Sequence, residues 1–287
     1  VSAVGMTGLA MDEPDFVEME LLGSDRSGKN GGCLKQLDEL LSPDGYYTEG
    51  AYYHRYALWP IVLFAQCIDN GAPERKIFEY RDSVIIRSVG TLLQESYMGD
   101  LIQINDAMPK SLNCQELICA VDIAYKNSGD TRLLDAARKY QGEFLPCDAG
   151  WKVAKDLAAG KATPFVLQSC LVKDGPDGDR GGVALMRPSE DMLVTLKATT
   201  HGNSHGHYDK LTLGYFDNGN EILCDYGSAR FQNVEAKYKG HYTPENRSFA
   251  MQTVAHNTYV LDGQSHFGGN YDLSSSVWPE MSFHSFG

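Results

Sequence analysis

A chain of 287 residues with 43% hydrophobic and 22% charged residues holds enough apolar material to build a core, and more chain than one core usually organises, so two domains are expected. The formal net charge of -13 and the lack of a Lys/Arg stripe exclude the wrapping of a nucleic acid, whereas a short acidic ligand stays possible because salt confines the field to roughly 8–10 Å. No apolar run reaches the roughly 18 residues that a membrane-spanning helix needs.

The seven cysteines, at positions 33, 67, 114, 119, 147, 170 and 224, are odd in number and lack paired CxxC spacing, which indicates neither a disulfide framework nor a zinc ribbon. The first residues show no basic stretch followed by an apolar core, and neither end carries an obvious cap. Truncation at both ends is the expectation.

From residue 12 to about 142 the dominant period is helical. Phe16, Met19 and Leu22 recur at near-helical intervals, then Leu34, Leu37 and Leu41, then a longer pattern from Ala51 to Ile68. Between them stands Asp44-Gly45-Tyr46-Tyr47-Thr48-Glu49-Gly50-Ala51-Tyr52-Tyr53-His54-Arg55-Tyr56, a glycine-containing turn that leads into a helix. Helical spacing puts Tyr53, Tyr56 and Pro60 on one face and Tyr52 and Arg55 on another, so part of the aromatic array must meet solvent or a ligand. Aromatic rings beside a guanidinium suit a sugar carboxylate, and an aromatic-rich packing helix is the competing reading. Ile77, Tyr80, Val84 and Ile85 continue the period, as do Leu117, Val121 and Ala124, until Asn127-Ser128-Gly129-Asp130 breaks it. Residues 1–150 are therefore read as helical hairpins, and 151–164 as a linker.

Residues 165–287 read as an antiparallel sheet domain. Strands are expected over 165–172, 182–186, 192–198, 211–216, 221–224 and 258–261, with Asn218-Gly219 as a hairpin turn, because both residues tolerate positive φ. Between two of these strands lies His201-Gly202-Asn203-Ser204-His205-Gly206-His207-Tyr208-Asp209-Lys210. Three histidines in seven residues, with glycines that permit tight turns, could converge on one point. If the strand from Leu211 pairs with the one at Glu221, His207 and Asp225 come together, and His256 enters the strand beginning near Thr258; imidazoles and a carboxylate are zinc ligands. His205-Gly206-His207-Tyr208-Asp209 also matches the HxHxD core of metallo-β-lactamase-type hydrolases, although Lys210 stands where that family carries another histidine.

The tyrosine-rich segment, the Asn203–Asp209 stretch and His256-Asn257-Thr258, in this order, resemble the heparinase II/III-like lyases, and among them polysaccharide lyase family 17, the oligo-alginate lyases. The resemblance implies an α+β multidomain protein, with an incomplete (α/α) toroid followed by an antiparallel β-sheet domain and the active site in the cleft between them. It implies Tyr53 and His205 as catalytic groups, Arg55, Tyr56 and Tyr242 as substrate-binding residues, and His207, Asp225 and His256 as ligands of a mainly architectural zinc. The family's asparagine–histidine pair beside the substrate carboxylate has no counterpart upstream of Tyr53. The implied activity is exolytic β-elimination on alginate oligomers, acidic oligosaccharides that yield an unsaturated uronate. A glycosaminoglycan lyase, a zinc hydrolase and a non-catalytic uronate-binding protein are the alternatives. A periplasmic or secreted location is expected, and a homodimer is left open.

Overall fold

The computed structural model describes residues 2–229, 239 and 242–282. They form two compact units that interleave along the chain: a helical unit of Val1–Gly45, Arg55–Leu93 and Ser111–Val166, and a sheet unit of Tyr46–His54, Gln94–Lys110 and Leu167–Gly287.

The helical unit contains α1 (Ser2–Met11), α2 (Pro14–Leu22), α3 (Cys33–Leu40), most of α4 (Ala51–Gly71) and of α5 (Tyr80–Gln94), α6 (Gln115–Ser128), α7 (Thr131–Tyr140) and α8 (Asp148–Ala158). α6 is its buried centre, because every residue from Leu117 to Tyr125 is shielded from solvent. Full burial of each large aliphatic side chain there contributes roughly 1.5–3 kcal/mol. The expected break after α6 consists of two caps in series. Gly129 at φ 68 returns its N–H to the Tyr125 carbonyl, and the Asp130 side chain accepts the Arg132 N–H to start α7.

Two expectations for this unit need correction. The stripe Phe16, Met19 and Leu22 is not the inner face of α2: Val17, Glu20 and Leu21 are buried and Phe16 is exposed, since apolar residues occupy so many positions of this short helix that its period is ambiguous. Residues 151–164 are not a linker through most of their length. Helix α8 runs through them, burying Ala149, Gly150 and Val153, and Asp156 receives hydrogen bonds from Tyr125, Lys152 and Lys161.

The sheet unit holds the short hairpin β1 (Ser96–Tyr97) and β2 (Asp100–Leu101), and an antiparallel meander of β3 (Cys170–Lys173), β4 (Gly182–Ser189), β5 (Met192–Ala198), β6 (Thr212–Asp217) and β7 (Asn220–Leu223), followed by α9 (Tyr271–Ser276). Val183, Leu185 and Leu193 are fully buried on its inner face. The β6–β7 turn places Asn218 at φ 48 and Gly219 at φ 80, as a two-residue hairpin demands. Residues 165–169 stay outside the first strand, where side chains take up backbone N–H groups at Phe165 and Gln168. Nor is 258–261 a strand; an isolated bridge joins Leu261 to Gln264, and the Asn257 carbonyl accepts the Leu213 N–H of β6. All seven cysteines are free thiols. No helix among the described residues is long and apolar enough to cross a membrane.

Candidate active site

The sheet unit brings Tyr53, at the start of α4, against His205. Their rings stack with centroids 3.7 Å apart and planes 13° from parallel, and Tyr52 meets the edge of Tyr53 at 5.1 Å. His205 closes a single 3-10 turn over Asn203–His205 that leads out of β5. The tightness of this loop rests on Gly206, because a Cβ there would overlap the His201 carbonyl. Only a residue without a side chain lets the two histidines on either side reach inward.

His205 and His207 share one carboxylate. Asp106 lies 3.1 Å from His205 Nδ1 through Oδ2 and 3.0 Å from His207 Nε2 through Oδ1, and Oδ1 also receives the Asn246 amide at 3.0 Å. Burial opposes charge on Asp106, yet these three hydrogen bonds hold its pKa well below the usual carboxylate range. Asp106 is absent from the sequence-based set. It stands in an aperiodic stretch, and nothing local marks it as facing residues about 100 positions later.

His207, Asp225 and His256 offer ligand atoms that all lie within 4.8 Å of one another, and His207 and Asp225 meet at the end of the β6–β7 hairpin as the register expectation had it. His207 Nδ1 and His256 Nε2 are buried and without a hydrogen-bond partner among the described residues. Two orphaned imidazole nitrogens beside a carboxylate are what a divalent metal would satisfy, so the residues fit such an ion. His256 Nδ1 lies 2.9 Å from Asp225 Oδ2; burial works against its charge, but Asp225 and Asp209 together outweigh burial and raise its pKa. Thr258 anchors the segment through its hydroxyl to the Lys210 carbonyl, replacing the expected strand.

The HxHxD reading is not supported by geometry. Asp209 is buried, with both oxygens 2.6 Å from Lys197 Nζ, and Lys197 also reaches Asn105 Oδ1 at 2.6 Å. Burial works against the charge of Asp209, but Lys197, His256 and His207 together outweigh it and hold the pKa well below the ordinary value. His201 likewise stays outside: its Nδ1 pairs with Ser274 at 3.0 Å, and burial pushes its pKa down to about 4. His54, next to Tyr53, is enclosed, 3.6 Å from Glu95; burial lowers the histidine to about 3 and raises Glu95 well above its usual value.

Tyr242 in the sheet unit is 80% exposed, so its ring is open to a ligand. In the helical unit Tyr56 is 65% exposed, whereas Arg55 is only 6% exposed and forms an ion pair with Glu116. Any carboxylate that Arg55 takes must therefore share its guanidinium with Glu116.

Residues 171–281 match the model of the "heparinase II/III-like, C-terminal" family. Residues 171–281 are thus a heparinase II/III-like C-terminal domain. The chain is 48% identical over 286 residues to an alginate lyase of Stenotrophomonas maltophilia, a match that covers 99% of it and 38% of that relative. It is also 48% identical over 290 residues to an exo-oligoalginate lyase of Saccharophagus degradans, covering 99% of it and 39% of the relative. It thus spans less than two-fifths of the length of these relatives. Among solved structures, a heparinase III superposes with a TM-score of 0.64 at 12% identity, covering 92% of this chain and 38% of that one. A heparan sulfate lyase from Pedobacter heparinus gives 0.59 at 17%, covering 92% and 36%. At such identities the likeness is one of fold: a helical portion followed by an antiparallel sheet, as the motif order implied.

Proposed function

We propose that the protein is an alginate lyase that cleaves 1,4-linked uronate oligosaccharides by β-elimination from a chain end, releasing an unsaturated uronate. The observation that carries this reading is the Tyr53–His205 stack, 3.7 Å between centroids, in a chain 48% identical to an alginate lyase and an exo-oligoalginate lyase. Elimination needs a base for the proton at C5 and an acid for the leaving oxygen at O4. Where proton and leaving oxygen share a face of the sugar, as in mannuronate, the Tyr53 phenol serves as base and then acid. Where they lie on opposite faces, as in guluronate, His205 takes the proton and Tyr53 protonates O4. The intermediate places additional negative charge on the carboxylate, so neighbouring donors must stabilise it; Arg55 is the candidate from α4, with Tyr56 and Tyr242 as exposed aromatic contacts.

In this reading His207, Asp225 and His256 would hold zinc, which would supply a fixed positive centre beside the histidine loop. Its role would be architectural: His207 is two residues from His205, so holding His207 in place would also fix the loop that aims the catalytic imidazole. A hydrolytic zinc reading lacks its expected Asp209 ligand, since Lys197 occupies that carboxylate.

The test uses full-length protein and defined oligomers of mannuronate and guluronate, with hyaluronate and heparosan fragments beside them, followed by ultraviolet absorbance and mass of the products. Unsaturated monomer from alginate oligomers is expected. Tyr53→Phe keeps the stack on His205 and removes only the phenolic oxygen, so kcat should fall at least about a hundredfold, with little change in KM or Tm. Products without the unsaturated bond, or a Tyr53→Phe variant as active as the parent, would overturn the proposal.

A further inference from the structure

One carboxylate contacts both histidines of the loop, and its surroundings determine which nitrogen of each carries the proton. The chain of constraint begins at the backbone. The Ala229 N–H donates to Asn246 Oδ1 at 3.1 Å, and this fixes the orientation of the amide, so that Nδ2 is the group facing Asp106. Asp106 Oδ1 must then accept from Asn246, and it lies 3.0 Å from His207 Nε2. An oxygen already serving as acceptor calls for an N–H on that imidazole nitrogen. Oδ2 of the same ionised group calls for an N–H on His205 Nδ1 at 3.1 Å. The backbone closes the arrangement, since the Asp106 N–H donates to the His205 carbonyl at 3.2 Å.

We infer that Asp106 is a positioning residue that sets both tautomers at once, directing the lone pair of His207 Nδ1 to the metal and that of His205 Nε2 to the substrate proton. The two assignments are opposite, Nε2–H on one ring and Nδ1–H on its neighbour two residues away, and a single bidentate acceptor between them explains how both are held. An independent observation agrees: His207 Nδ1, the nitrogen left with the lone pair, is the buried atom without a partner and belongs to a ring in the candidate metal set. Only the nitrogen far from Asp106 can serve His205 as a base. The ring itself is held in plane by Tyr53, so its tilt and its tautomer have separate determinants.

This inference rests on the lyase reading for the role of His205, but not for the metal or the tautomers. An asparagine at 106 retains the shape and one acceptor while turning an NH₂ toward one of the two imidazoles, so both cannot remain donors. In full-length Asp106→Asn the expected results are a kcat at least about a hundredfold lower with KM within threefold, and a metal content, measured by inductively coupled plasma after dialysis against metal-free buffer, less than half that of the parent. A His205→Gln variant should keep its metal while losing activity, which separates the two arms of the carboxylate. Solid-state NMR of ¹⁵N-histidine protein, with the His205 signal assigned by its loss in His205→Gln, should show a proton on Nδ1 in the parent. That measurement decides the matter even if the Asp106 variants fail to fold. A parent His205 protonated on Nε2 alone, or an Asp106→Asn protein with full metal and kcat within threefold, would overturn the inference. If the parent releases no unsaturated product, the lyase reading fails, while the metal content and the tautomer still test Asp106.

Discussion

Gly206→Ala probes the histidine loop with the smallest change available, one methyl group. A Cβ built on Gly206 sits 1.1 Å from the His201 carbonyl oxygen and 2.8 Å from His201 Cδ2. Non-bonded atoms need about 3.5 Å, so the loop must open by about 2 Å between the backbone of 201 and that of 206. His201 itself cannot yield easily, because its ring is tied to Ser274 and packed against Tyr208 and Tyr271. The displacement therefore falls on 205–207, and it exceeds the roughly 0.5 Å within which a catalytic constellation works. A misplacement of about 1 Å can lower the rate about a hundredfold, which sets the least loss of kcat expected here. Overpacking of this kind costs about 1–3 kcal/mol, so Tm should fall too, and metal content with it. Gly90→Ala is the control: it lies in α5 with nothing within 4 Å of the added atom, and exchanging glycine for alanine in a helix stabilises by up to about 1 kcal/mol. Steady-state kinetics, calorimetry and metal analysis on both full-length variants are sufficient. Native kcat in Gly206→Ala would refute the claim that this backbone approach aims the histidines.

Two further expectations concern the metal and pH. His256→Ala removes a buried donor from the candidate centre, so metal per chain and Tm should both drop; a variant with full occupancy and unchanged Tm would move the metal elsewhere. His54 is held near a pKa of about 3 by burial, below its ordinary 6.5, so between those values the unfolded chain binds more protons than the folded one and stability falls as pH falls. At pH 5 this amounts to about 2 kcal/mol, and denaturant titrations of His54→Asn between pH 7 and 4 should show a correspondingly shallower decline than the parent; an identical slope would contradict the assignment.

What could be read from the sequence was local in origin. The Asn218-Gly219 turn fixes its own backbone, and from that turn the convergence of His207 with Asp225 follows by register. The breaks around Gly129 and Asp130 were equally legible, because each cap acts within four residues. Asp106 was not legible. Its partners lie 99 and 101 positions away, and a lone aspartate in an aperiodic segment carries no sign of them. Helix α8 escaped notice for a related reason: its stability draws on Tyr125 and Lys161, outside its own span, so its alanine-rich sequence read as filler. The failed strand at 258–261 shows the reverse error, since β-branched and aromatic residues there suggested a strand although, among the described residues, the backbone bond to β6 comes from Asn257, just before them.

The buried Lys197–Asp209 pair, with Asn105 as its third member, restricts how this sequence can drift. Loss of either charge alone strands the other in the interior, a penalty of about 3–5 kcal/mol, and Asn105 at φ 61 occupies a backbone state few other side chains accept. Mutation one position at a time therefore meets a barrier at each of the three sites, while a joint replacement by apolar residues of matching volume need not destabilise the fold at all. Lys197, Asp209 and Asn105 should accordingly be inherited as a set, changing together or staying fixed.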